Sequence, residues 1–171
     1  KNNIPFFSGA NPGTQTYTNN GVSNIDTTIT LIIENIGGCI DSIERTVTIY
    51  PQVDASFTMD TTIGCNPLTI QFNHDPAQPV PVNWSWDFDD TVTSSLENPS
   101  HIFRNYNSGS RTFTTQLVVE SVSGCVDTTT QTVEVHPYID AQFAIDSASS
   151  GCSPFTINVT NNSTGGITGY T

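Results

Sequence analysis

The chain has 171 residues, with 4 Lys and Arg against 16 Asp and Glu, a formal charge of −12 and 35% apolar residues. A surface this acidic repels phosphate backbones and anionic lipid, which argues against nucleic acid and lipid headgroups as partners. No apolar run approaches the roughly 20 residues of a spanning helix, so no membrane insertion is expected of this segment.

In chain order, two β-branched runs come first, at 27–34 and 42–50, followed at once by Pro51. Val53, Ala55, Phe57 and Met59 then share one face of a strand predicted over 53–59, and Leu68, Ile70 and Phe72 do the same over 68–73. Val82, Trp84, Trp86 and Phe88 give a third alternating row over 82–88, and a short strand is expected at 100–103. Phe113, Thr115, Leu117 and Val119 line one face of 111–121 while Thr114, Gln116 and Glu120 line the other; Val133 and Val135 mark a strand over 127–136. After Pro137 the alternation resumes over 139–145 and 155–159. Every run has period 2 and is rich in β-branched residues, with Gly, Asn, Asp and Pro between them; no window carries helical periodicity with start and stop signals. Several short strands without a helix predict an all-β antiparallel sandwich.

Two phrases recur in one register. Cys39-Ile-Asp and the run from Thr46 to Phe57 return 86 residues later as Cys125-Val-Asp and the run from Thr132 to Phe143. Gly64-Cys-Asn-Pro-Leu-Thr-Ile70 returns 87 residues later as Gly151-Cys-Ser-Pro-Phe-Thr-Ile157. A period of this length is a domain-sized unit able to bury one modest core. The expected organisation is therefore 1–50 as the C-terminal part of one copy, 51–137 as a complete copy and 138–171 as the N-terminal part of the next. On this reading the chain is a window on a longer polypeptide. Pro51 and Pro137 stand at the two links between copies, and because Pro fixes φ the junctions should be stiff.

The phrases Trp84-Ser-Trp-Asp-Phe-Asp-Asp90, Glu97-Asn-Pro-Ser-His-Ile-Phe103 and Gly124-Cys-Val-Asp127 closely resemble the PKD domain, an immunoglobulin-like sandwich with a W-D-F-G-D-G motif followed by N-P-x-H-x-Y. The resemblance covers the whole of 51–137, and both flanks fit partial copies; residues 1–16 lack the N-P-x-H-x-Y phrase. The fold it implies is all-β, tandem immunoglobulin-like (PKD) sandwiches, one complete and two partial. The core motif it implies is Trp84, Trp86, Asp87, Phe88, Asp90 and His101, with Trp86 and Phe88 buried. Asp89 and Thr91 stand where the family has Gly, and Phe103 where it has Tyr; the lost glycines bear on the tight turn after the Trp strand rather than on the fold.

Cys-bearing tandem copies of this kind resemble those of giant cell-surface proteins in gliding, type IX-secreting bacteria of the Bacteroidetes group. This implies an extracellular, cell-surface location and a non-enzymatic structural or adhesive role, as a stalk or fibre. The implied partners are adjacent repeats of the same chain, surface polysaccharide or other surface proteins. PKD modules also serve as carbohydrate-binding or spacer modules of secreted hydrolases, which is the alternative reading. Composition agrees with export: Thr, Ser, Asn and Gly dominate, Lys is nearly absent, and all four Cys occupy repeat-equivalent positions.

Candidate sites follow from particular residues. A solvent-facing row of Trp84, Trp86 and Phe88 would bind sugars, whereas a core-facing row only packs. Asp87, Asp89 and Asp90 offer hard oxygen ligands of the kind Ca²⁺ takes, although no spaced D-x-D-x-D-G loop is present; no other cofactor is expected. His74, His101 and His136 lie far apart with no metal spacing, and no paired acids or nucleophile motif is found, so no enzymatic activity is expected. In a sandwich, Cys65 falls in the turn between the first two strands and Cys125 in the turn between the last two, at opposite ends. Strands of that length separate the ends by roughly 20–30 Å, against the ~5.5 Å Cα spacing of a disulfide. Cys39, Cys65, Cys125 and Cys152 are therefore expected to bridge neighbouring copies rather than to pair within one. Six Asp precede Ser or Thr in a D-[ST]-[AIVT] pattern that resembles Bacteroidetes O-glycosylation, which makes Thr27, Ser42, Thr61, Thr91, Thr128 and Ser147 candidate acceptors.

Overall fold

The strict alternation of the central rows leaves each strand one apolar and one polar face, and the apolar faces are buried against each other. The computed structural model describes residues 13–76, 82–145, 150–165 and 169, and among these every regular element is a strand. In chain order they are β1 (Ile25–Glu34), β2 (Ile40–Ile49), β3 (Phe57–Met59), β4 (Ile63–Cys65), β5 (Leu68–His74), β6 (Val82–Asp87), β7 (Thr93–Ser94), β8 (Ser100–Phe103), β9 (Arg111–Ser121), β10 (Val126–His136), β11 (Phe143–Ile145) and β12 (Val159–Asn161). No helix among the described residues is long and apolar enough to cross a membrane.

The central part is a two-sheet sandwich. A sheet ordered β3-β5-β8 faces one ordered β4-β10-β9-β6-β7. Between them lie Phe57, Ile70, Phe72 and Phe103 from the first sheet and Trp86, Phe113, Leu117, Val119, Val133 and Val135 from the second. Trp86 is the hub: its ring meets Phe57 edge-on at 5.0 Å and Phe72 at 5.3 Å between centroids. Full burial of each large apolar side chain contributes about 1.5–3 kcal/mol, so these rows carry most of the sandwich's stability. Thr115 lies on the same inward row of β9, and its hydroxyl is buried without a partner among the described residues.

The strand pattern departs from expectation at five points, one of them the strand expected over 139–145, which shortens to Phe143–Ile145. The first strand, expected over 53–59, pairs only at Phe57–Met59. Val53 and Ala55 are still buried, but the Ala55 amide donates to Asp127 Oδ2 (2.8 Å) instead of to a strand neighbour. Cys65 lies not in a turn but in the edge strand β4, which pairs in parallel with β10. The short β7 was not expected either. In the last flank, β12 begins where the predicted 155–159 strand ends. In the sandwich, residues 68–71 of β5 pair with β8 and only 72–74 pair with β3. The downstream strand keeps the pairing of the second kind alone, β11 with β12.

The flanks reproduce the sandwich's ladders. β1 pairs with β2 from Ile25↔Ile49 to Glu34↔Ile40, and β9 with β10 from Arg111↔Val135 to Glu120↔Val126, each position displaced by 86 residues. Their turns match as well: Asn35 N donates to Cys39 O and Gly38 N to Asn35 O, as Ser121 N does to Cys125 O and Gly124 N to Ser121 O. Gly38 (φ 80°) and Gly124 (φ 79°) supply the left-handed residue this turn requires. On the other side Phe143↔Asn161 and Ile145↔Val159 repeat Phe57↔His74 and Met59↔Phe72. The peptide bonds before Pro67 and Pro154 are both cis.

Candidate functional site

The tryptophan strand and the turn after it form the densest constellation. Trp86 on β6 and Phe88 just after it point inward, fully buried, and the Trp86 indole N–H donates to Leu96 O (2.8 Å). Phe88 stacks on the His101 ring at 4.2 Å, and His101 Nε2 meets Asp90 Oδ2 at 2.8 Å. A carboxylate can only accept, so His101 carries its proton on Nε2 in this contact. Asp90 Oδ1 also accepts from Val92 N (3.2 Å), so this acid links β8, through His101, to the turn.

The tight turn survives without the family's glycines. Asp89 (φ 61°) and Thr91 (φ 74°) take the left-handed conformation themselves. Side chains hold it in place: Asp87 Oδ1 accepts from Asp89 N (2.9 Å), and Asp89 Oδ2 accepts from Thr114 N on β9 (3.0 Å). Asp tolerates this region through such local bonds, whereas a β-branched Thr is strained in it. The three candidate calcium ligands thus each accept a backbone N–H, and among the described residues no three metal-ligating side chains gather.

Trp84 does not present a free aromatic face. It is half-buried against the core, its indole N–H donates to His74 Nδ1 (3.0 Å), and the two rings meet edge-on. His74 Nε2 in turn donates to Asp54 O (2.9 Å). The row Trp84, Trp86 and Phe88 therefore faces the core and is not a sugar platform. His136 Nδ1 contacts both Ser110 Oγ (2.9 Å) and Glu134 Oε1 (3.8 Å). Both partners address one nitrogen, so there is no relay from acid to nucleophile through opposite ring atoms as a hydrolytic triad needs.

The four cysteines are free thiols, with Cys125 half-buried and Cys39, Cys65 and Cys152 exposed. Cys65 is the ladder partner of His136 at the last residue of β10, and Cys125 directly precedes its first. Eleven residues at about 3.3 Å each put the two more than 30 Å apart. Cys125 instead lines an open pocket of about 370 Å³ with Tyr17, Asn19, Tyr50, Val53 and Asp127, where the upstream hairpin meets the sandwich.

Asn19 and Asn105 are structural clamps that the sequence reading missed. Asn105 Nδ2 donates to Gly109 O and Val135 O, both at 2.8 Å, and its Oδ1 accepts from Asn107 N. Asn19, 86 residues earlier, makes the same three bonds to Ser23 O, Ile49 O and Gly21 N. Each clamps the loop before a long strand to the end of its hairpin partner. Asn19 also accepts from Gln52 N through its carbonyl (3.1 Å), across the Pro51 link. The available signal was an Asn in the same register as the cysteine echo. Of the candidate glycosylation sites, Ser42, Thr91 and Thr128 are exposed, Thr27 and Thr61 are half-buried, and Ser147 lies outside the described residues.

The sequence profile of the PKD domain family matches residues 49–137, just over half of the chain's 171 residues. Among solved structures, the chain is similar to the PKD1 domain of Vibrio anguillarum Epp, at 24% identity over 49% of this chain and 93% of that one, with a TM-score of 0.40. No curated protein matches the chain. The tryptophan strand, the His101–Asp90 tie and the sandwich order all fall inside the matched residues, and the chain belongs to the PKD domain family.

Proposed function

We propose that the chain is a non-enzymatic structural segment of a long extracellular tandem-repeat surface protein. In this reading it acts as a stalk or fibre that presents a distal element, in the manner of Bacteroidetes-type gliding adhesins exported by type IX secretion. The reading rests on one observation: the ladder registers of β9–β10 and β3–β5 recur on either side of the sandwich at offsets of 86 and 87 residues. PKD domains are immunoglobulin-like modules, typically non-catalytic and extracellular, and copies of such a module build reach. Pro at both links and the Asn19–Gln52 bond favour a fixed angle between units, and a charge of −12 disfavours lateral association.

Small-angle scattering on chains carrying one, two and three in-frame copies of 51–137 tests this. β10 sets the long dimension of the unit at 11 residues, so each added copy should lengthen the particle by about 35 Å. Growth as the cube root of mass, or as a flexible coil, would overturn the rod.

A further inference from the structure

We infer that Cys65 of one copy forms a disulfide with Cys125 of the copy that follows it, so that each junction of the array is covalently closed. The inference rests on the array reading above.

Each end of the sandwich carries half of one arrangement. At the downstream end, Cys65 on β4 is the ladder partner of His136, and Asn66 N donates to His136 O (3.2 Å) immediately before Pro137. At the upstream end, Tyr50 stands immediately before Pro51, 86 residues ahead of His136, and it lines the same pocket as Cys125. A β4-type strand placed beside Tyr50, as β4 lies beside His136, brings its cysteine into the pocket that Cys125 lines. The pocket's volume of about 370 Å³ leaves room for that strand edge.

The cysteine settings recur in their local sequence, and the turn before Cys39 and Cys125 recurs in its backbone geometry as well. Cys39 and Cys125 each follow a positive-φ Gly in the same hydrogen-bonded turn. Cys65 and Cys152 each follow a Gly held against a downstream apolar side chain: a Cβ on Gly64 would collide with Leu68, and one on Gly151 with Phe155. In the complete sandwich the two thiols thus sit at opposite ends of β10. Bond formation removes one proton from each thiol and joins the two sulfurs. The two electrons pass to a protein disulfide oxidant of the exported compartment, which leaves as its dithiol.

The test is the full chain with residues 51–137 duplicated in frame, made in an oxidising compartment. One variant keeps only Cys65 of the first copy and Cys125 of the second, with Ser at every other cysteine. The mirror variant keeps only Cys125 of the first and Cys65 of the second. The first should run as a monomer with no titratable thiol and an intact mass lower by two hydrogens, while the mirror keeps both thiols. Buried Trp86 fluorescence reports folding in both, and the unsubstituted duplicated chain should lose two titratable thiols. Free thiols in the folded first variant, cross-linked dimers, or equal oxidation of the mirror would overturn the inference. Any of these, with the scattering increment per copy retained, would leave the array standing without its staples.

Discussion

The β9–β10 and β1–β2 hairpins share register, turn and asparagine clamp, yet one is the heart of a core and the other is bare. Leu117 is 0% exposed, while Leu31, its counterpart 86 residues earlier, is 56% exposed. Ile33 and Val47 are likewise exposed where Val119 and Val133 are buried. Strand pairing and turn geometry are therefore properties of the hairpin's own sequence. Burial is not: it requires the opposing sheet with Phe57, Phe72 and Phe103, and the tryptophan strand alongside β9. The flank shows what such a hairpin is where, among the described residues, no second sheet covers it.

Truncating the paired leucines breaks this comparison most sharply. Leu117→Ala leaves a cavity between the sheets and should cost about 3 kcal/mol in urea unfolding followed by Trp fluorescence. Leu31→Ala removes a side chain that already faces solvent and should change the same transition by less than about 0.5 kcal/mol. Equal costs would mean that β1–β2 is packed in solution and that the contrast is false.

The sequence was most readable where alternation ran long. Val82, Trp84 and Trp86 defined β6, and the eleven residues of β9 and β10 showed clean two-residue periods. The edge strands β4 and β7, of three and two residues, are shorter than any periodicity can reveal. The 53–59 row was legible as buried but not as partly unpaired, because the bond that replaces the ladder comes from Asp127, 72 residues away. Placing the cysteines at opposite ends needed only strand length. The clamp of Asn19 and Asn105 stayed hidden because an Asn before a strand reads as an ordinary loop residue. Only its hydrogen bonds to the far end of the partner strand set it apart.

Those clamps give the next test. Asn105 is almost wholly buried and donates to Val135 O, so Asn105→Ala strands a buried carbonyl and should destabilise the sandwich by about 2 kcal/mol. Asn19 is buried too, but it clamps a hairpin that no second sheet covers among the described residues. Asn19→Ala thus removes the same bonds outside the two-sheet core. It should leave the sandwich transition within about 0.5 kcal/mol and appear only as faster amide exchange in β1–β2. A matching loss for Asn19→Ala would show that the bond from Gln52 N ties hairpin and sandwich into one cooperative unit.

The smallest effect concerns a turn that, among the described residues, the β1–β2 hairpin lacks. Thr91 is an exposed, β-branched residue at φ 74°, and Gly in its place relieves that conformation at the cost of extra chain entropy in the unfolded state. Strain of about 1–3 kcal/mol outweighs an entropy cost of about 0.5–1, so Thr91→Gly should raise sandwich stability by about 1 kcal/mol. Asp89→Gly, at φ 61°, offers the same relief but forfeits the carboxylate that accepts from Thr114 N, and it should come out near zero. Because this turn belongs to the sandwich alone, Thr91→Gly should move the Trp86 transition and leave β1–β2 exchange unchanged. If both moved together, the hairpin would draw its stability from the closed sandwich rather than from its own ladder.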